Sequence, residues 1–250
     1  ALMDIGKIAE YDIISMSGGS KDNAIPRKSE AKILVESGDV SKVLAQIEAV
    51  AKKAAAEYST SDPGICIQAE TEGEQTVFVL TKETAEKAVL LITLLPNGIQ
   101  RMSADIEGLV ETSLNLGVLR LSREALSLRY AVRSSVGTAK EHLTDKLEAL
   151  VAYMGGKIKI SGDYPAWEYR KDSALREDMV RIYREMYQKE PVIQAIHAGL
   201  ECGILAGKLD GLDAVSIGPD MVGVHTTEEK LSISSTRRVW EYILEVLKCK

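Results

Sequence analysis

Residues Val40 to Tyr58 read VSKVLAQIEAVAKKAAAEY, with Val43, Ile47, Val50, Ala51 and Ala54 spaced to fall on one side of a helix. Adding one hundred to each number gives Leu143, Leu147, Leu150, Val151 and Met154, in LTDKLEALVAYM. The same apolar stripe therefore occurs twice, the mark of an internal duplication. Chance likeness between two amphipathic helices is the alternative. Asp39 and Thr138 stand where an N-cap belongs, since a short oxygen-bearing side chain can satisfy a free first-turn amide.

Each helix is expected to follow two strands and precede a third. In the first copy the strand-like runs are Asp12 to Ser17, Glu30 to Val35 and Ile65 to Ala69. In the second they are Leu109 to Asn115, Ala125 to Val132 and Lys157 to Ser161. A further helix, Lys82 to Leu95, joins the copies and is stopped by Pro96-Asn97-Gly98. Two strand-strand-helix-strand units, over about 10–70 and 109–163, predict a mostly antiparallel sheet with helices on one face.

The texture changes after Gly162-Asp163-Tyr164-Pro165. Ser173 to Gln188 is a helix with Leu175, Met179, Ile182, Tyr183 and Met186 on one side. The apolar runs Pro191 to Ile196 and Leu212 to Ile217 alternate with helices at Leu200 to Lys208 and Thr236 to Lys248, the pattern of parallel strands in an open α/β sheet. Two strands make too small a sheet, so their neighbours are expected in an upstream part of the natural protein. The start agrees, because Leu2, Ile5 and Ile8 are helically spaced with no capping residue before them. The expected fold class is α/β, with a domain over 1–163 and a second over 164–250.

The 250 residues are 45% hydrophobic and 27% charged, enough for one large or two ordinary soluble domains. A net charge of -6 argues against a nucleic-acid partner, which demands a basic footprint. No apolar run approaches a membrane span. Cys66, Cys202 and Cys249 fit neither a zinc ribbon nor a disulfide framework, so a cytoplasmic location is expected.

His225, in SIGPDMVGVHTTEE, follows a predicted strand and the Gly218-Pro219 break. An imidazole on such a loop can act as a metal ligand or an acid/base, although a lone histidine is more often simply solvated. Upstream lies IHAGLECG, residues 196–203.

These strings carry a resemblance. IHAGLECG, followed by LDAVSIGPDMVGVHTTEEKLSISSTRRVWEYILEVL, is similar to the C-terminal part of aminoacyl-histidine dipeptidases, members of the dinuclear zinc exopeptidase family that includes carnosinases and aminoacylases. MSGGSKDNAIPRKSEAKI, residues 16–33, resembles the start of that family's lid domain. The resemblance covers nearly the whole chain with its motifs in order. It implies that 1–163 is a lid and that 164–250 belongs to the C-terminal portion of a catalytic domain.

The resemblance further implies hydrolysis of Xaa-His dipeptides by water held between two zinc ions, since two metals supply a hydroxide at neutral pH. Of the family's ligand set, His225 alone has a counterpart here, and the others belong to the N-terminal half of the catalytic domain, which this chain would need as its partner. Asn23 matches the lid asparagine that hydrogen-bonds substrate near the scissile carbonyl, where a preorganised donor favours the oxyanion; an ordinary turn residue is its other reading. Arg133 matches the arginine that grips the substrate carboxylate, suited by its planar fork, with Arg129 four residues away as the rival. His197, Gly199 and Glu201 match the pocket lining. Glu201 would meet the substrate amino group or serve only as a helix cap.

A homodimer is compatible with the resemblance, and the chain alone is expected to be inactive. Two other readings stand beside the dipeptidase: a related tripeptidase or aminoacylase, and a non-catalytic dimerisation or binding module.

Overall fold

A computed structural model of the chain describes residues 1–195, 201–224 and 226–249. In order, its elements are α1 (Leu2–Ile5), β1 (Asp12–Gly18), β2 (Ser29–Leu34), α2 (Val40–Glu57), α3 (Lys82–Leu94), β3 (Gly98–Met102), β4 (Val110–Leu121), β5 (Leu126–Ser134) and α4 (Gly137–Tyr153). They continue as α5 (Ala174–Tyr187), α6 (Glu201–Ala206), β6 (Met221–Val222), β7 (Lys230–Leu231) and α7 (Ile233–Lys248). The fold is α/β, as expected. Strand order in the main sheet is β2-β1-β4-β3, with β5 also paired to β4.

The chain divides into two compact units, one of Ala1–Gly98, Leu114–Val132 and Thr144–Ile158, the other of Ile99–Ser113, Arg133–Leu143 and Lys159–Lys250. In the first unit β1 runs antiparallel to both β2 and β4. Strict alternation would put Ile13 and Met16, three apart, on opposite faces of β1. A register shift between Ile13 and Ser15 brings both inward, 0% and 7% exposed. They form a core with Leu80, Ala88 and Leu121, which Ile33, Val89, Ile92 and Leu119 flank.

Both apolar stripes become the inner sides of their helices. Val43 is buried on α2, and Ile47, Val50, Ala51 and Ala54 are half-buried, while Ser41, Lys42, Ala45, Glu48, Lys52 and Lys53 are exposed. On α4, Leu143 and Leu147 are buried while Leu150 and Val151 are half-buried, as is Met154 just beyond its end.

The caps differ from expectation. Asp39 holds the N-cap position of α2 without a side-chain hydrogen bond, because a tight turn over Ser37–Asp39 leads straight into the helix. Thr138 lies inside α4, and the Gly137 amide donates instead to the Glu168 carboxylate at 3.0 Å. The α3 boundary matches better. Thr81 accepts from the Thr84 amide at its start, and beyond its end Asn97 accepts from the Leu116 amide at 2.7 Å.

Four of the predicted strand runs are not strands: 65–69, 157–161, 212–217 and the described residues 191–195. A strand exists only with a hydrogen-bonded neighbour, which apolar composition cannot supply by itself.

In the second unit α5 packs on α7 around Met179, Ile182 and Tyr242. The Tyr242 hydroxyl donates to the Met179 carbonyl at 2.6 Å, and its ring meets Tyr183 edge-on at 5.6 Å. Burial first, then the neighbouring tyrosines, raise the Tyr242 phenol above its ordinary value. Ser173 caps α5 by accepting from the Arg176 amide at 3.0 Å.

Candidate functional site

The best-defined candidate is the loop between β1 and β2, within the first unit. Asn23 sits near its tip in Asp22-Asn23-Ala24-Ile25-Pro26, every residue of which is exposed, Ile25 by 84%. Across the loop, the Ala24 amide reaches the Lys21 carbonyl at 3.4 Å. Stronger restraint comes from β4. Asn115 donates from its side-chain nitrogen to the Asp22 carbonyl at 2.8 Å and to the Ala24 carbonyl at 2.9 Å. At the loop base the Arg120 guanidinium donates to the Gly18 and Gly19 carbonyls at 2.7 and 2.9 Å.

Two glycines permit this closeness. Gly19 adopts φ +62°, a conformation that strains any side chain, and a Cβ there would overlap the Gly117 carbonyl. Gly117 is buried on β4, and a Cβ on it would overlap the Lys21 carbonyl and Asp22. Beside the loop opens a concavity of about 460 Å³ lined by Gly18, Ser20, Ile25, Arg27, Ser29 and Arg120. A larger concavity of about 670 Å³, by α1 and α3, holds none of the candidate residues.

Asn115, Gly117 and Arg120 were not singled out from the sequence. A signal existed. Asn and Gly are poor strand residues, and glycine inside a strand often marks close backbone approach, so Asn115-Leu116-Gly117 within an apolar run called for an explanation.

Arg133 stands near the end of β5, within the second unit, and is exposed. Among the described residues its guanidinium has no ion-pair or hydrogen-bond partner. Arg129, four residues back on the same strand, is exposed as well, so alternation presents both on one face. The neighbouring backbone is ordered by polar contacts inside the second unit. Ser134 pairs with Thr112 at 2.8 Å and donates to the Val136 carbonyl at 2.9 Å, while the Ser135 amide donates to the Glu111 carbonyl at 3.0 Å. Glu111 itself is 5% exposed and paired with Arg101 at 3.1 Å.

Glu201 is the exposed first residue of α6. His197, Gly199 and His225 lie outside the described residues. Among the described residues no group of three or more His, Cys, Asp or Glu side chains is placed to hold a metal ion. The cysteines are free, with Cys66 and Cys249 exposed. Among the described residues no helix is long and apolar enough to cross a membrane.

No protein-family model matches the chain. It is 29% identical over 245 residues to the cytosol non-specific dipeptidase of Escherichia coli (strain K12), an alignment covering 97% of this chain and 50% of the relative. Its fold superposes on the crystal structure of aminoacylhistidine dipeptidase from Vibrio alginolyticus with a TM-score of 0.90 and 26% identity, over 98% of this chain and 50% of that one. The chain thus spans about half the length of the relatives it matches, and over nearly all of its own length it is related to the aminoacyl-histidine dipeptidases.

Proposed function

We propose that this chain provides the lid and substrate-binding part of a metal-dependent dipeptidase acting on Xaa-His dipeptides. The observation carrying this reading is fold agreement with an aminoacylhistidine dipeptidase along 98% of the chain. Peptide hydrolysis is what the names of the relatives describe, and the finer assignments below belong to this proposal.

Arg133 recognises the free carboxylate of the substrate. An exposed guanidinium with no partner among the described residues keeps its donors available for a bidentate bond to a planar carboxylate. Asn23 donates from its amide to the carbonyl under attack, where a fixed donor favours the developing oxyanion. Glu201, His197 and Gly199 line the pocket for the substrate's amino end. His225 is the zinc ligand this chain contributes, and the remaining ligands of the two ions come from the portion of the relatives that the chain does not span. Held there, the pair of ions would supply an activated water at neutral pH. The description of one relative as cytosolic supports a cytoplasmic location.

The experiment is dipeptide hydrolysis by the full-length protein that carries this chain. Expected are cleavage of dipeptides with C-terminal His, loss of activity on chelation, and recovery with zinc. The 250-residue chain by itself is expected to hydrolyse none of them. Absence of hydrolysis by the full-length protein with any divalent metal would leave a binding or dimerisation module. Preference for tripeptides or acylated amino acids would move the assignment to those related enzymes.

A further inference from the structure

We propose that Asn115 and Gly117 are positioning residues that hold Asn23 in place for its substrate, an inference that rests on the assignment of Asn23 to substrate binding. Residues 20–28 are all exposed, so the loop has no buried side chain to fix it. Segments with few buried apolar contacts open readily. Arg120 holds the base of the loop, and the side chain that holds its tip is Asn115, whose two amide hydrogens reach the carbonyls on either side of Asn23 at 2.8 and 2.9 Å. Few side chains can make that pair of bonds. Serine carries one donor hydrogen, and aspartate would turn a carboxylate oxygen toward two carbonyl oxygens.

Gly117 carries the second half of the argument. Its missing side chain lets the Lys21 and Asp22 backbone lie against β4, within reach of Asn115. Strand formation explains neither residue, since both types are disfavoured in strands. The arrangement leaves the Asn23 amide free of any partner among the described residues while its backbone is held on both sides. A donor with a fixed backbone and an uncommitted side chain meets the requirement for stabilising charge without reorganisation.

The clamp is read first without any assay of activity. Lys21, Arg27 and Lys28 place trypsin sites inside the loop. Asn115→Ala and Asn115→Ser are expected to speed cleavage there about tenfold, the equivalent of losing one to two ordinary hydrogen bonds. Gly117→Ala should act alike, displacing the loop while leaving the Asn115 donor present. Unchanged cleavage in variants that retain the wild-type thermal midpoint overturns the clamp. Should the Asn115 variants fail to fold, Gly117→Ala carries the same test.

The positioning role is then read in the full-length protein. Asn115→Ala should lower kcat about tenfold to a hundredfold with KM nearly unchanged, the scale expected when a reacting group is misplaced by about an ångström. In an Asn23→Ala background the same change should add nothing, because the residue it positions is gone. An equal loss in both backgrounds overturns the proposal, and so does faster loop cleavage with unaltered kcat. If Asn23→Ala itself leaves kcat intact, the substrate-binding assignment of Asn23 fails, and the trypsin experiment still decides the clamp.

Discussion

The Asp213 carboxylate accepts the Ser173 hydroxyl at 2.7 Å and the Leu175 amide at 3.0 Å, across forty residues of chain. It thereby caps α5 from outside the helix and locks Ser173, itself 2% exposed, in its own capping geometry. Burial works against ionisation of Asp213, but the Ser173 and Leu175 bonds, with Arg170 and Arg176 nearby, outweigh it and hold the carboxyl below its ordinary 3.8. Asp213→Ala should cost about 1–2 kcal/mol, as for loss of a helix cap with its hydrogen bonds. A carboxyl lowered by folding contributes stability above its ordinary value and loses it as pH falls through the folded value. Urea titrations should therefore show a smaller difference between wild type and Asp213→Ala below pH 3.8 than at neutrality. An equal difference at both would mean that the charge is not what Asp213 contributes.

Tyr130 gives the opposite limb. Burial pushes its phenol from 10.0 up to about 12. A group raised by folding contributes stability below its unfolded value and loses it as pH climbs toward the folded one. The protein should lose stability between pH 10 and about 12, and Tyr130→Phe should lessen that loss while leaving neutral stability close to wild type. Phenolate absorbance with parallel denaturation curves measures both. A Phe variant with the wild-type alkaline profile would assign the loss to another tyrosine.

The paired stripes make a stability prediction. Leu147 is 6% exposed on α4, so Leu147→Ala should cost about 2–4 kcal/mol by lost transfer energy and the cavity left behind. Leu150→Ala, half-buried one turn on, should cost less, and Tyr153→Ala, at 87% exposure, least. On α2, Val43→Ala should exceed Ile47→Ala, because Val43 is buried and Ile47 only half so. Chemical denaturation ranks all five, and a flat ranking would remove the stripes as the inner faces of these helices.

For Arg133 the expected effect is on recognition. In the full-length protein Arg133→Ala should lower kcat/KM about a hundredfold, the scale of a lost charge-assisted bidentate contact. Lysine should rescue in part, since a point charge cannot reproduce the planar fork. Assay of a dipeptide against its C-terminal amide decides the role. If Arg129→Ala carries the loss, the register assigned to the carboxylate is four residues out. If neither variant distinguishes acid from amide, neither arginine binds the carboxylate.

By itself the sequence determined the parts whose signal is local. Helices α2, α3 and α4, the strands β1 and β2 and the inner faces of α2 and α4 follow from local pattern, because a helix side repeats every few residues whatever lies beyond it. The kinship with dipeptidases was legible as well, carried by ordered strings rather than by any one residue. Tertiary structure decided what depends on distant partners. Glu168 caps α4 from thirty-one residues away, Asp213 caps α5 from forty, and Asn115 grips a loop more than ninety residues upstream. The bulge that turns both Ile13 and Met16 inward leaves no mark in composition, and apolar runs such as 212–217 became strands in expectation alone. Periodic burial is written along the chain, whereas a hydrogen bond between remote groups has no period. It exists only after the fold has brought donor and acceptor within about 3 Å.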